Sequence, residues 1–253
     1  MRIMPALLGL GLFISGCAEY VTPGPGADLG RVGVTRAVRE ASTDGVIQKA
    51  FDKKPLASFP TSIAVVRLQA PGYTSETTKS YGTGAYSIVT TRDIEKPEQI
   101  DRLGRLPMVS GIAPLNRMLL KPDFESDVQL REAAAQLQAD MLLIYTLDTS
   151  FTTEDKAAPL SVISLGLSPN QQVRVTCTAS AVLMDTRNGY IYGLAEATDQ
   201  QNQMTNAWQN DVAIDETRRA TESAAFDKLV GDLEGTWKGV VARYATDAHA
   251  SRE

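Results

Sequence analysis

Histidine and cysteine are nearly absent from this chain of 253 residues, which contains one histidine and two cysteines. The histidine, His249, lies in a polar stretch near the carboxyl terminus. A Ser-His-Asp or Cys-His catalytic set, or a zinc site of histidine and cysteine ligands, needs several such side chains in one place. We therefore predict no metal, no cofactor and no enzymatic activity.

Concentrated positive charge is also missing. The 25 lysines and arginines are scattered among 30 aspartates and glutamates, which gives a net charge of −5. Nucleic-acid-binding domains carry a basic stripe or patch, so the sequence predicts no nucleic-acid partner. The hydrophobic share of 43% is normal for a folded domain with a packed core.

Residues 1–17 have the order of a secretory signal. Arg2 is followed by the apolar run 6–13 and then by Ile14-Ser15-Gly16-Cys17, which gives a positive start, an apolar middle and a cleavage point of small residues. Residues 3–16 are fewer than the roughly 20 that a membrane-spanning helix needs. The four residues that end in Cys17 resemble the lipobox of bacterial lipoprotein precursors, in which the cysteine is acylated and becomes the first residue.

The lipobox resemblance implies a lipid anchor on Cys17 and a boundary in the chain. We predict a signal peptide over residues 1–16, and a lipidated cysteine with a flexible tether over 17–30, where proline and glycine are frequent. By the sorting habits of that family, Ala18 implies the inner leaflet of the outer membrane, facing the periplasm. Two alternatives stay open: an ordinary signal peptide with an incidental Cys17, and an uncleaved anchor.

The remaining chain is predicted to form one periplasmic α/β (or α+β) domain over residues 31–245, with a polar tail over 246–253. The expected core is a mixed β-sheet with an antiparallel hairpin, flanked by helices and followed by a long C-terminal helix. The patterns predict strands over 61–68, 85–91, 106–112, 141–147, 173–184 and 190–197, and helices over 44–53, 97–103, 126–137 and 211–244.

The strand predicted over 173–184 has the clearest pattern, because every second residue is apolar or small. Cys177 belongs to that packed face, so we expect a core thiol and not a reactive one. The following residues, from Asp185 to Gly189, predict a hairpin turn in which Asn188 and Gly189 adopt positive φ.

The long C-terminal helix has two unlike faces. An apolar stripe recurs at steps of three or four residues, and Gly231, Gly235 and Gly239 lie nearly opposite it. Each glycine inside a helix costs roughly 1 kcal/mol relative to alanine, so we interpret the three as a possible interface. Its partner would be a second helix, within residues 31–54, or a neighbouring protomer; a tolerated, fraying helix is the alternative.

The segment Tyr73–Thr91 is rich in threonine, serine, tyrosine and glycine. We interpret it as a surface hairpin or mobile loop, because it has no continuous lipid-facing apolar row of about 9–11 residues. A hairpin that enters a membrane as part of an oligomer is the less favoured alternative.

Three short phrases resemble a known domain family. They are the opening strand Ile63–Val66, the helix-to-strand joint Leu137–Leu143, and the hairpin Val175–Gly193 with its Asp185-Thr186 pair and Gly189. Together they resemble the periplasmic α/β domain of curli secretion channel (CsgG-like) lipoproteins and of the amino-terminal domain of TolB, over residues 60–245. These phrases are structural, so the resemblance implies a fold and assigns no functional residue.

Two classes of function follow. The first is an outer-membrane-anchored lipoprotein that takes part, without catalysis, in an envelope or secretion complex, bound to the membrane through Cys17 and to a protein partner or to copies of itself. The second is a periplasmic domain that binds a small ligand or glycan, with possible enzymatic activity, through aspartates and tyrosines around Tyr73–Thr91.

Overall fold

The structure is a computed structural model that describes residues 20–29, 43–155, 171–205 and 210–245. Six strands form one mixed sheet, with β2-β1-β4-β5-β6 in order across it and β3 also pairing with β1. The strands are β1 (Thr61–Gln69), β2 (Ser87–Val89), β3 (Val109–Pro114), β4 (Met141–Asp155), β5 (Gln171–Asp185) and β6 (Ile191–Thr205). The predicted fold class, a mixed sheet flanked by helices, is confirmed.

Strand β1 is the junction between the parallel and antiparallel parts of the sheet. On one side it runs parallel to β4, with Ile63 opposite Met141. On the other side its first half pairs with β3 in parallel and its last three residues pair with β2 antiparallel. The β-branched, apolar sequence of β1 suits this position, because both faces of the strand are covered.

Strands β4, β5 and β6 form an antiparallel meander of 15 residues each. Only Met141–Ile144 of β4 pair with β1, so the later part of β4 and its partners extend beyond the rest of the sheet. The strands predicted over 141–147 and 190–197 were therefore too short. In the extension, residues 148–155 and 198–205 each contain a single large apolar residue, Phe151 and Met204. Both faces are therefore largely polar, and the apolar alternation that marks a strand is lost there.

Four helices and a short 3-10 turn complete the described chain. They are α1 (Thr43–Asp52), α2 (Pro97–Gly104), the 3-10 turn Arg117–Leu119, α3 (Asp127–Gln136) and α4 (Asn210–Val240), which ends in a π turn over Val241–Ala245. The predicted capping box of Ser126 with Gln129 begins α3. All four predicted helices are confirmed, with ends that differ by a few residues.

The two faces of the sheet bury separate cores. The α4 helix packs on one face through its apolar stripe, with Phe226, Leu229 and Trp237 all at most 2% exposed. Helix α3 covers the other face over Leu142, Ile144 and Met184. Cys177 is fully buried on the α4 side, so the predicted core thiol is confirmed.

The turn between β5 and β6 is organised by Asp185, which is fully buried. Its carboxylate accepts hydrogen bonds from the backbone N–H of Leu56 at 2.8 Å and of Arg187 at 2.9 Å, and from the Tyr192 hydroxyl at 2.9 Å. Gly189 has a φ of +70°, whereas Asn188 does not share the positive φ predicted for it. The Asn188 side-chain oxygen instead accepts from the Tyr190 N–H at 2.9 Å.

Candidate functional site

A buried cluster of charged side chains joins the segment after β1 to α4. It lies beside Tyr73–Thr91, the segment for which the sequence suggested ligand binding. We call it the ion cluster; its members are Arg67, Asp93, Glu95, Asp215, Arg218 and Glu222. Helix α4 supplies Asp215, Arg218 and Glu222 from one face, since residues three and four apart are neighbours on a helix.

Arg67 is the first centre of the ion cluster. Its guanidinium lies 3.5 Å from Glu95 Oε1 and 3.6 Å from Asp93 Oδ1, and it donates a hydrogen bond to the Tyr73 hydroxyl at 3.2 Å. The Tyr145 hydroxyl donates to Glu95 Oε1 at 2.7 Å. Burial acts to lower the pKa of Arg67, but the charges of Glu95 and its neighbours raise it above the ordinary value. Arg67 therefore stays charged in the interior.

Arg218 is the second centre. It is 0% exposed and donates to Asp215 at 2.9 Å, to Glu222 at 2.6 Å and to the Thr77 hydroxyl at 3.1 Å. Glu222 also accepts from the Thr149 hydroxyl at 2.8 Å. Burial raises the pKa of Glu222, against the lowering effect of Arg218.

Asp93 connects the two arginines. Its carboxylate lies 4.0 Å from Arg218 and accepts hydrogen bonds from the hydroxyls of Thr77 at 2.7 Å and Thr78 at 3.0 Å. The threonine-rich segment, predicted as a surface hairpin or mobile loop, is therefore tied to the ion cluster by hydrogen bonds of Thr77 and Thr78 with Asp93 and Arg218. A buried charge that loses its partner is costly, so these contacts hold the segment in place.

Two cavities border the ion cluster. A groove of about 890 Å³ between α2 and α4 is lined by side chains of both signs, including Asp93, Glu95, Arg102, Arg219 and Asp227. A small cavity of about 30 Å³ lies beside Arg67, Glu95 and Tyr145. Among the described residues, Arg67 Nε and Glu95 Oε2 have no hydrogen-bond partner. The small cavity has room for about one water molecule. In the groove, Arg102 forms an ion pair with Asp227 at 2.9 Å.

The sequence patterns did not predict the ion cluster, although two features of the sequence indicate it. Arg67 is a lone charged residue inside the otherwise apolar or neutral strand β1, and a charge at such a position needs a partner. Arg218 follows Asp215 by three residues and precedes Glu222 by four, the spacing of ion pairs on a helix. Neither signal identifies Asp93 or Glu95 as the partners across space.

Residues 20–29, which we call the N-terminal segment, lie on the domain. The backbone N–H of Ala27 donates to the Thr146 hydroxyl at 2.6 Å, and the N–H of Gly26 donates to Asp148 at 3.2 Å. Ala27 is 8% exposed. The described part of the predicted tether is therefore packed, because its backbone donors find acceptors on β4. Cys17 and the polar tail lie outside the described residues.

The glycine face of α4 is open within the described chain. A Cβ atom added at Gly231, Gly235 or Gly239 would meet no atom within 4 Å outside the local helix backbone. The described helix α1, part of the predicted partner, does not cover them. An interface with a neighbouring protomer at these three positions stays a prediction.

The outer edge of β6 exposes apolar side chains. Among the described strands β6 pairs only with β5, and Ile191 and Leu194 are 44% and 66% exposed. They border a shallow groove of about 700 Å³ with Leu29 and Val182. Two carbonyls of this strand already accept hydrogen bonds from α4, Leu194 from the Thr236 hydroxyl at 3.5 Å and Thr198 from Lys228 at 3.1 Å. The exposed apolar side chains, and not the backbone, are therefore the surface left for a partner.

The Cys177 thiol is buried, and the acidic side chains of the described residues form no metal-binding group. Burial raises the pKa of Cys177 to about 12. No group of three or more His, Cys, Asp or Glu side chains with metal-binding geometry occurs in residues 20–29, 43–155, 171–205 and 210–245. Within those same ranges, no helix has the length and apolarity needed to cross a bilayer.

Comparisons with known proteins give little. No protein-family model matches the chain, and no curated protein matches it in sequence. The solved structures include a "putative lipoprotein" from Caulobacter crescentus, which matches with 11% identity and a TM-score of 0.28 over 45% of this chain and 79% of that one. Such a TM-score does not establish a shared fold. The resemblance to curli secretion channel lipoproteins and TolB stays a prediction.

Proposed function

We propose that this protein is an envelope lipoprotein, anchored through Cys17 in the inner leaflet of the outer membrane, whose periplasmic domain takes part in a protein assembly without catalysis. The anchor is supported by Ile14-Ser15-Gly16-Cys17 after a short apolar run. Each buried acyl methylene contributes about 0.8 kcal/mol, so two or more chains hold a soluble domain on a bilayer.

The observation that carries the assembly role is the β6 edge. Leu194 and Ile191 expose apolar side chains on the last strand of the sheet. Exposed apolar surface of this kind is typical of sites where another protein binds. A protein partner, or a second copy of this chain, would cover these side chains.

The anchor is tested by metabolic labelling with a fatty-acid precursor. Wild-type protein should incorporate the label and sediment with membranes, whereas Cys17→Ser should remain unlabelled and leave the membrane fraction. Wild-type protein without label would overturn the anchor.

The assembly role is tested by a photo-crosslinking residue placed at Leu194. A discrete adduct at twice the mass, or with one partner, should form in cells at this position. The matched control is Met118, which is 88% exposed on the 3-10 turn. Equal adducts at both positions, or none at Leu194, would overturn the use of the β6 edge.

The groove between α2 and α4 favours a second candidate, the binding of a small polar ligand. Its lining includes Arg102, which pairs with Asp227 at 2.9 Å, together with Arg219 and the buried Glu95. The two candidates are separated by Arg102→Ala, which removes an exposed charge from the groove and leaves the β6 edge unchanged. If the groove binds a ligand, Arg102→Ala should bind more weakly than wild type to whichever sugar or amino acid a screen identifies. If the β6 edge serves assembly, the crosslink formed from position 194 should be the same in the variant and in wild type.

A further inference from the structure

The N-terminal segment runs along β4 toward the outer end of the sheet. Followed backwards, it contacts Thr146 and Asp148 through Ala27 and Gly26, and then Phe151 through the ring of Tyr20, whose centroid lies 6.0 Å from that of Phe151. Its contacts on β4 thus advance from residue 146 to residue 151. Tyr20, the first described residue of the segment, thus lies beside Phe151, four residues before the end of β4.

Tyr20 is fixed on two sides. Its ring packs edge-on against Phe151 and joins a small apolar cluster with Val173, Val175 and Ile214. Its hydroxyl donates to Asp215 at 3.3 Å. Burial raises the pKa of this phenol. The segment is therefore held at its first described residue as well as along its length.

Little chain separates this fixed point from the acylated cysteine. Cys17 precedes Tyr20 by three residues, which span at most about 11 Å when fully extended. Beyond Phe151, β4 continues for four residues to Asp155, a distance of roughly 13 Å. The greatest distance of Cys17 from Tyr20 and the distance from Phe151 to the end of β4 therefore agree within a few ångströms.

We infer that the outer end of the sheet lies against the bilayer surface, and that the domain is held there in one orientation. This inference rests on the proposed lipid anchor. Among the described residues, the contact surface includes the ends of β4 and β6 and the starts of β5 and α4. Met204 of β6 and Val212 of α4 expose apolar side chains there, at 48% and 72%, and Val21 next to Tyr20 is 42% exposed. Apolar side chains add to the binding of an interfacial surface.

The opposite end of the domain points away from the membrane. Strand β5 has 15 residues and is about 50 Å long. The turn at Gly189 lies at its far end, beside the end of α1, where Lys53 donates to the Gly189 carbonyl at 3.4 Å. Phe51 of α1, although 81% exposed, is thus held roughly a strand length from the bilayer.

The orientation is tested with the full acylated chain in vesicles of phosphatidylethanolamine and phosphatidylglycerol that contain a nitroxide-labelled lipid. A fluorophore is attached to Met204→Cys or, as the matched control, to Phe51→Cys; native Cys177 is buried and does not take the label. We expect the lipid to quench the label at 204 several times more strongly than the label at 51.

A variant with ten Gly/Ser residues between Glu19 and Tyr20 tests whether the short link to Cys17 fixes the orientation of the domain. The insert adds a flexible reach of about 17 Å, so the difference in quenching between positions 204 and 51 should shrink. Equal or reversed quenching in the acylated protein without the insert would overturn the orientation alone. Mass spectrometry of the amino-terminal peptide is done first, and absence of an acyl group would overturn the proposed anchor together with this inference.

Discussion

The guanidinium of Arg218 donates to the carboxylate of Glu222 at 2.6 Å, and the two side chains are 0% and 1% exposed. This pair is as fully buried as Arg67 and Glu95, whose side chains are 2% and 1% exposed. Its contact with Thr77 joins α4 to the segment after β1. The stability of that whole region should therefore depend on one arginine.

Replacement of Arg218 by alanine leaves Asp215 and Glu222 without their buried partner. We expect the free energy of unfolding to fall by about 3–5 kcal/mol, measured by urea denaturation. The matched control is Arg219→Ala, which removes a neighbouring arginine that pairs with Asp215 at 2.9 Å but is 44% exposed; a loss of about 0–1 kcal/mol is expected there. Equal losses would contradict the importance of the buried pair.

Glu222 should make stability depend on pH. Its pKa in the folded state is raised by burial, so above about pH 4.5, the ordinary value, the folded state retains a proton that the unfolded state loses. Stability from this group is thus present at low pH and lost as pH rises through the folded pKa. Glu222→Gln cannot titrate, and its stability relative to wild type should increase from pH 4.5 to 7. A difference that is constant across that range would contradict the shift.

Cys177 should not react in the folded protein. With no exposed surface and a pKa raised to about 12, its thiol is neither accessible nor ionised at pH 8. Protein that begins at Ala18, treated with iodoacetamide, should show no added mass until urea unfolds it. Modification at the same rate with and without urea would show that β5 is not covered by α4.

Gly235→Ala should stabilise the isolated domain. A Cβ at this position meets open space, and alanine in a helix interior is favoured over glycine by roughly 0.5–1 kcal/mol. Gly84→Ala is the contrast, because its Cβ would collide with the carbonyl oxygen of Phe124. Sedimentation of the Gly235→Leu variant completes the test: a shift from oligomer to monomer is expected if a neighbouring protomer covers the glycine face.

Thr146→Val should loosen the N-terminal segment. The hydroxyl accepts from the Ala27 N–H at 2.6 Å and donates to Gln69 at 2.7 Å, and loss of a buried partner costs about 1–3 kcal/mol. Thr178→Val, which removes a hydroxyl bonded to Thr198 at 3.0 Å on the outer face, should change stability by about 0.5 kcal/mol or less. Faster proteolysis within residues 20–29 is expected for the first variant only.

The elements that the sequence predicts well are those whose buried faces repeat. Val173–Met184 alternates because α4 covers one face of β5 along most of its length, and the stripe of Phe226, Leu233 and Trp237 recurs because one side of α4 lies on that face. The outer halves of β4 and β6 lack this signal, since residues 148–155 and 198–205 are polar on both faces apart from Phe151 and Met204. Their existence depends on pairing with β5 and not on local apolar pattern.

The candidate site was harder to predict for a different reason. The N-terminal segment is held through backbone N–H groups of Gly26 and Ala27, which every residue except proline has, so no side-chain pattern marks it. In the ion cluster, Arg67 and Glu95 are 28 residues apart in the chain and lie in different elements. Only the folded arrangement brings them together.

The position of α4 at the end of the chain has a consequence for biogenesis. This helix supplies the apolar stripe that closes the core over β5, and it begins only at Asn210. Under the proposed lipoprotein role, the chain would cross a membrane amino terminus first, and the apolar face of its meander would stay uncovered until residues 210–240 had followed. Acylation near the front of the chain would come before that closure, so a holding chaperone would meet an already lipidated and still unfolded molecule.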